Sequence, residues 1–195
     1  MIASLARLAA LALAALGLGL ALAAADQPVG LALADRTVLT VDVTAIEVRN
    51  ADTTADAYPA VGSRASVTYD QALRAWAAQR FAASGGSVNS LRITMRRGGI
   101  VEKLLPVTKG IAGWFKKEQG AEYTGSLDVE VAVIDPAGQV VTVADGKSWA
   151  SDTVREDATA ADKQAAWLGI VTKTFDNLDR ELIPRMRQTM AAYVR

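Results

Sequence analysis

The 195-residue chain contains no cysteine and no histidine. Without them it has no Ser-His-Asp triad, no thiol nucleophile, no disulfide and no ordinary zinc site. The phosphate-cradling patterns GxxxxGK[ST] and GxGxxG are also missing. Gly85-Gly86 and Gly98-Gly99 are isolated pairs, read as a helix stop and a strand bend. Aromatic residues make up only 6% of the chain, and proline occurs five times. Two acids brought together by folding would still permit carboxylate hydrolysis, but no spacing nominates a pair. Lys147 and Ser148 are adjacent on an expected strand and point to opposite faces, so they form no dyad. The residue set therefore points away from an enzyme and calls for no metal and no cofactor.

The N-terminus has a distinct composition. Arg7 precedes a run from Leu8 to Ala25 that carries no charge and ends Ala23-Ala24-Ala25 before Asp26. A basic start, an apolar stretch and small residues before the cut mark residues 1–25 as an export signal. Retention of the run as an N-terminal anchor is the alternative, since its length approaches the roughly 20 residues that span a bilayer. No cysteine follows the run, so no lipobox is present. The expected location is the periplasm, soluble if the signal is cut and anchored if it is not. Residues 26–36 read as a lead-in and residues 37–195 as one domain, a length able to bury its own core without disulfides.

The charges nearly balance. Outside the signal there are 20 Lys and Arg against 21 Asp and Glu, which argues against nucleic acid as a partner. They are segregated along the chain, however. Seven basic residues and one acid lie between Arg92 and Lys117, and nine acids and two bases between Ala121 and Asp162.

Periodicity gives the elements. Leu39, Val41, Val43 and Ala45 alternate with polar residues over 37–49, a half-buried strand, while Ile46 and Val48 shift the phase and predict a bulge near 45–46. Thr68 and Gln71 form a capping box opening a helix that should run to about Ala83, with Tyr69, Leu73, Trp76 and Ala77 on one face. A second strand is expected over 88–95, resuming after Gly98-Gly99 through 100–105. A third is expected over 123–134 and a fourth from Gln139 to about Ser151, joined by the turn Asp135-Pro136-Ala137-Gly138. A long helix from about Thr159 to Tyr193 carries the stripe Leu168, Val171, Phe175, Leu178 and Leu182, with a kink at Pro184. The order β-α-β-β-β-α predicts an α+β two-layer sandwich: a four-stranded sheet with both helices on one face. Its other face would be polar.

Two groups of residues are candidate contacts. The connection 106–119 holds Trp114 and Phe115 framed by Lys109, Lys116 and Lys117. Such a set suits a membrane headgroup boundary or a protein partner, and it equally suits rings folded back as a small satellite core. On the polar sheet face, Arg92 and Arg96 read either as a cross-strand ladder with Asp128 and Glu130 or as a cationic stripe for an anionic lipid or glycan surface. Trp76, Trp149 and Trp167 read as core or sheet-face packing.

From Gly110 onward several motifs are family-like: Gly110-Ile-x-Gly-Trp-Phe-x-x-Glu-Gln, Asp128-Val-Glu-Val, Thr153-Val-x-Glu-Asp-Ala-Thr159 and Phe175-Asp-Asn-Leu-Asp-Arg-Glu-Leu182. They resemble a family of small uncharacterised proteobacterial envelope lipoproteins, over roughly the mature domain. The element order is similar to that of the LptE-type lipoprotein of the lipopolysaccharide translocon. The resemblance implies a non-enzymatic periplasmic accessory role and carries over no catalytic residue. The expected function is thus an accessory, assembly or binding protein of the cell envelope, contacting an envelope protein or an anionic surface through the polar face and the 106–119 loop. A small-molecule or lipid carrier, with a cavity between helices and sheet, is the alternative.

Overall fold

A computed structural model describes residues 37–53, 61, 64–106 and 118–195. In chain order the elements are β1 (Leu39–Val41), β2 (Ala45–Asn50), α1 (Tyr69–Arg80), β3 (Phe81–Ala83), β4 (Ser90–Leu104), β5 (Gln119–Ile134), β6 (Val140–Arg155) and α2 (Ala160–Thr189). The main sheet runs β2-β4-β5-β6, and β1 pairs with β3 in a separate two-stranded sheet. The β2–β4 and β1–β3 pairs are parallel, and the long strands β4, β5 and β6 are antiparallel. The α+β sandwich and its element order are those read from the sequence.

The first strand divides further than a bulge would. It leaves the small sheet after Val41 and rejoins the main sheet at Ala45, opposite Ser90. Val43, fully buried in the step between, anchors the crossing. The phase shift at Ile46 and Val48 is the mark of this change of sheet.

Helix α1 begins as expected, with Thr68 and Gln71 closing a capping box. It ends at Arg80, before the glycines. Phe81 turns to extended backbone (φ −124°, ψ 142°), and residues 81–83 pair with β1 instead of extending the helix. Helix-forming alanines are thereby drawn into a strand by tertiary pairing, which outweighs local propensity.

Strand β4 is continuous through Gly98-Gly99, which do not bend it out of the sheet. Its irregularity lies one step earlier, where the register shifts between Met95 and Arg97. Gly98 is needed for close approach: a Cβ there would stand 2.4 Å from the Met95 sulfur and 3.1 Å from the Tyr69 ring. The bulge changes the side-chain phase. Before it, Leu91, Ile93 and Met95 face the helices; after it, Ile100 does. Arg96 and Arg97 are therefore both exposed on the outer side.

Both helices cover one face of the sheet. Tyr69, Leu73 and Trp76 of α1 and Ile170, Phe175, Leu178 and Leu182 of α2 are buried against Leu91, Ile93, Tyr123, Leu127, Val129 and Val131. The expected stripe of α2 is buried apart from Leu168, which is half-buried. Met186 and Met190 are buried too, and the helix continues through Pro184. Along β6 the inward residues are Ala144, Gly146, Ser148 and Ala150, so α2 lies close to the strand. At Gly125 on β5 a Cβ would come 2.3 Å from the Tyr69 hydroxyl and 2.4 Å from Ile170.

Helix α2 also shields the free edge of β6. The Asn177 amide donates to the Trp149 carbonyl at 2.9 Å, and the Arg185 guanidinium donates to the Asp145 carbonyl. Capping outward carbonyls in this way protects a sixteen-residue edge strand from pairing with another chain. The two helices are pinned by buried polar groups: Asp179 accepts from Arg80 Nε at 2.8 Å and from Trp76 Nε1 at 3.1 Å. Arg80 also donates to the Thr37 carbonyl, fixing the start of β1. Among the described residues no helix is long and apolar enough to cross a membrane.

Candidate binding face

Opposite the helices, the outer side of the main sheet carries alternate residues of all four strands. Its charges are largely paired across neighbouring strands. Arg96 pairs with Glu130 as expected from the sequence. Arg92 stands opposite Ala132 rather than an acid and pairs instead with Glu47, its register partner on β2, at 3.5 Å. Asp128 pairs with Lys147, its register partner on β6, at 3.2 Å, and Lys103 pairs with Glu122 at 3.5 Å. Arg92, Arg96, Asp128 and Glu130 thus share one face in a ladder wider than a two-strand reading suggests, reaching from β2 to β6. Exposed cross-strand pairs of this kind contribute only a few tenths of a kcal/mol, about 0.2–1 each.

Two residues stand out from this ladder. Arg97, brought to the outer face by the bulge, is exposed and makes no ion pair among the described residues. Trp149 is 67% exposed. Its register partner is Ser126, and beyond Ser126 comes Gly99. A Cβ at Gly99 would meet nothing within 4 Å. The row therefore drops from a large ring to a serine to bare backbone, leaving a shallow step beside the indole. Thr124 and Ser151 line one side of this step, and the Asp128–Lys147 pair lines the other. On the far side of Trp149 an open groove of about 490 Å³ runs between β6 and α2, with Lys147, Ser151, Lys173, Asn177 and Glu181 on its walls.

Trp149 lies on the sheet face, but exposed and not packed, which corrects the packing role expected from the sequence. The signal was present: Ala144, Gly146, Ser148 and Ala150 are the small residues of one face, which puts Trp149 on the other. Lys109, Trp114, Phe115, Lys116 and Lys117 lie outside the described residues.

At the end of the sheet where that connection departs, a polar cluster ties β4 and β5 to α2. The Tyr123 hydroxyl donates to Glu102 at 2.8 Å, Arg64 pairs with Glu102 at 3.1 Å, and Arg64 lies 5.7 Å above the Trp167 ring. Burial, with the Glu102 carboxylate as acceptor, pushes the Tyr123 phenol up to about 12. The Tyr123 hydrogen bond, with help from Arg64, holds Glu102 below its ordinary value. The pH consequences have opposite signs. A phenol raised in the folded state gives stability fully present below the unfolded value of about 10 and lost as pH rises through about 12. A lowered carboxyl gives stability present above its unfolded value of about 4.3 and lost as pH falls through the folded one. Ultraviolet titration is expected to show one tyrosine ionising with Glu102→Gln-sensitive retardation; an unchanged titration in that variant would remove the link.

A second open groove, of about 640 Å³, lies at the start of α2. Its acids are already engaged: Asp157 pairs with Arg155 at 2.6 Å, Asp152 with Lys173 at 3.7 Å, and Asp162 closes the capping box with Thr159. Among the described residues no group of three or more acids is placed to hold a metal ion.

No family model matches the chain. No curated protein sequence matches it either. Solved structures to which the chain is similar include rare lipoprotein B from Shewanella oneidensis, 14% identical over 76% of this chain and 94% of that one, with a TM-score of 0.36. A minor lipoprotein from Acinetobacter baumannii is 14% identical over 75% of this chain and 93% of that one, with a TM-score of 0.35.

Proposed function

We propose that this protein is a non-enzymatic accessory or assembly factor of the cell envelope that binds its partner on the outer sheet face around Trp149. The observation that carries this reading is the 67% exposure of Trp149 beside the open step at Ser126 and Gly99. Aromatic residues concentrate binding energy where a partner can cover them, and an uncovered indole on a sheet is a contact awaiting one. Arg97, without an ion pair among the described residues, supplies a cation in the neighbouring row, opposite Asp128. The export-type composition of residues 1–25 supports a periplasmic location. The 106–119 connection, with Lys109, Trp114, Phe115, Lys116 and Lys117, extends the contact as a second patch toward an envelope protein or an anionic surface.

The packing supports surface contact over interior cargo. Tyr123, Phe175, Leu91, Leu127 and Leu178 are fully buried in the layer between helices and sheet, where a carrier would keep its cavity.

The test uses a photo-crosslinking residue in place of Trp149, with a second at Trp114 and a control at the exposed helix position Gln79. In intact envelopes, positions 149 and 114 are expected to give the same discrete adduct and position 79 none. Trp149→Ala should abolish the adduct formed from 114 while leaving unfolding free energy within about 1 kcal/mol, since the ring is not core. Absence of any adduct at 149 would overturn the reading.

A further inference from the structure

Three stretches of chain meet at the end of the sheet remote from the 106–119 connection. Ile134, the last residue of β5, is the register partner of Ser90, the first of β4. Thr142 on β6 donates to the carbonyl of Thr189 at the end of α2. Asn89 donates to the Tyr193 hydroxyl, and Val194 bridges to Val41. The β5–β6 turn, the loop before β4 and the C-terminal turn therefore form one surface.

That surface is nearly free of charge. Residues 81–91, 131–144 and 188–194 together contain one ionisable acid or base, Asp135, apart from the Tyr193 phenol, in a chain that is 22% charged. The Asp135 carboxylate is turned inward to the turn, accepting from the Gln139 amide at 2.8 Å. The acid beside this surface, Asp42, is held by Arg195 at 3.7 Å and by the Ser84 hydroxyl at 3.1 Å. Meanwhile Val88, Val140, Val141 and Val143 are exposed at 75, 58, 49 and 40%. In the last turns of α2, Arg185 is engaged by Glu181 at 3.0 Å and by the Asp145 carbonyl, while Arg187 is exposed and makes no ion pair among the described residues.

β1 runs toward this surface. Thr37 is held by Arg80, and β1 leads from Leu39 to Val41, where it meets Val194.

We propose that this end of the domain rests on a phospholipid bilayer, with its valines in the headgroup boundary and Arg187 of α2 reaching lipid phosphates. Uncharged loops with exposed aliphatic side chains enter the interfacial region at little desolvation cost, and nearby arginines add attraction to anionic lipid. Exposed valines on two neighbouring stretches, the loop before β4 and the start of β6, with the Tyr193 hydroxyl already engaged, suit a fluid surface. A protein partner would be expected to meet a central aromatic anchor. The outer-face contact around Trp149 stays free, because it lies six residues beyond Val143 on β6, about 20 Å along the strand.

The absence of cysteine makes single-site labelling unambiguous. Val141→Cys and Leu104→Cys, the latter 77% exposed near the opposite end of β4, would each carry a polarity-sensitive fluorophore on the full chain. The proteins are mixed with vesicles of phosphatidylcholine and phosphatidylglycerol, with and without headgroup-proximal doxyl lipid. The expected result is a blue shift and several-fold stronger quenching at 141 than at 104. Arg187→Gln should reduce the quenching at 141 when phosphatidylglycerol is present. Equal or stronger quenching at 104, or none at 141, overturns the proposal. A blue shift at 141 that grows with protein concentration in the absence of vesicles also overturns it, by making a second copy of this chain the occupant.

Discussion

Phe175→Ala is expected to lower the free energy of unfolding by about 3–5 kcal/mol, the range for removing a large buried ring and leaving a cavity. The side chain is fully buried, and it joins the two helices. Its ring lies 6.0 Å from that of Tyr69 and 6.2 Å from that of Trp76, both on α1. Truncation therefore empties the junction where α1, α2 and the sheet meet, and neighbours on three elements cannot all collapse into the space. The Tyr69 hydroxyl, bonded to Thr174 at 3.2 Å on the adjacent position of α2, holds the surrounding structure in place and resists relaxation. Burial also raises the Tyr69 phenol above its ordinary value, so the ring stays neutral and apolar up to high pH. Chemical denaturation, followed by tryptophan fluorescence and circular dichroism together, measures the effect. A loss below 1 kcal/mol would mean that the junction is not core. A total loss of this predicted size consumes a large share of the 5–15 kcal/mol that holds a typical domain folded.

The contrast between Phe175 and Trp149 shows what the sequence discloses and where it stops. The stripe of α2 was legible because three- and four-residue spacing specifies a helix face without reference to anything distant. The alternating residues of β4 and β5 were legible for the same reason, and with them the sheet and its polar outer side. Partner assignment across that side was not. Which acid Arg92 meets depends on the register of β2, a parallel neighbour separated by a whole helix, and on a bulge at Met95–Arg97. No local pattern announces either. The end of α1 failed differently. Residues 81–83 continue a plausible helix, and only the distant β1 gives them strand partners. Trp149 could have been placed outward from the small residues around it, but an isolated tryptophan suggests burial until its strand has been assigned a face. The candidate binding face was therefore legible as a polar surface, while the exposed Trp149 ring and Arg97, which makes no ion pair among the described residues, were not.

Asp179→Ala is expected to destabilise the protein by about 3–5 kcal/mol, and for a different physical reason from Phe175→Ala. The side chains of Asp179 and Arg80 are only 6 and 9% exposed. Removing the carboxylate leaves a buried guanidinium without its counter-charge and takes the acceptor from Trp76 Nε1. The cost comes chiefly from the groups left behind. Asp179→Asn, which retains an acceptor oxygen, should lose less than Asp179→Ala. Replacing the pair with Arg80→Met and Asp179→Leu should recover part of the loss, because uncharged side chains have no desolvation to compensate. The pair also sets the start of β1, since Arg80 donates to the Thr37 carbonyl. Hydrogen exchange should therefore report faster opening in β1 and β3 in every variant lacking Arg80, including the double variant whose global stability partly returns. If exchange there stays slow, the short parallel sheet is held by its own packing, and Arg80 does no more than balance Asp179. If it quickens while the β4–β6 sheet stays protected, the buried pair is what couples the arriving N-terminal chain to the helix layer.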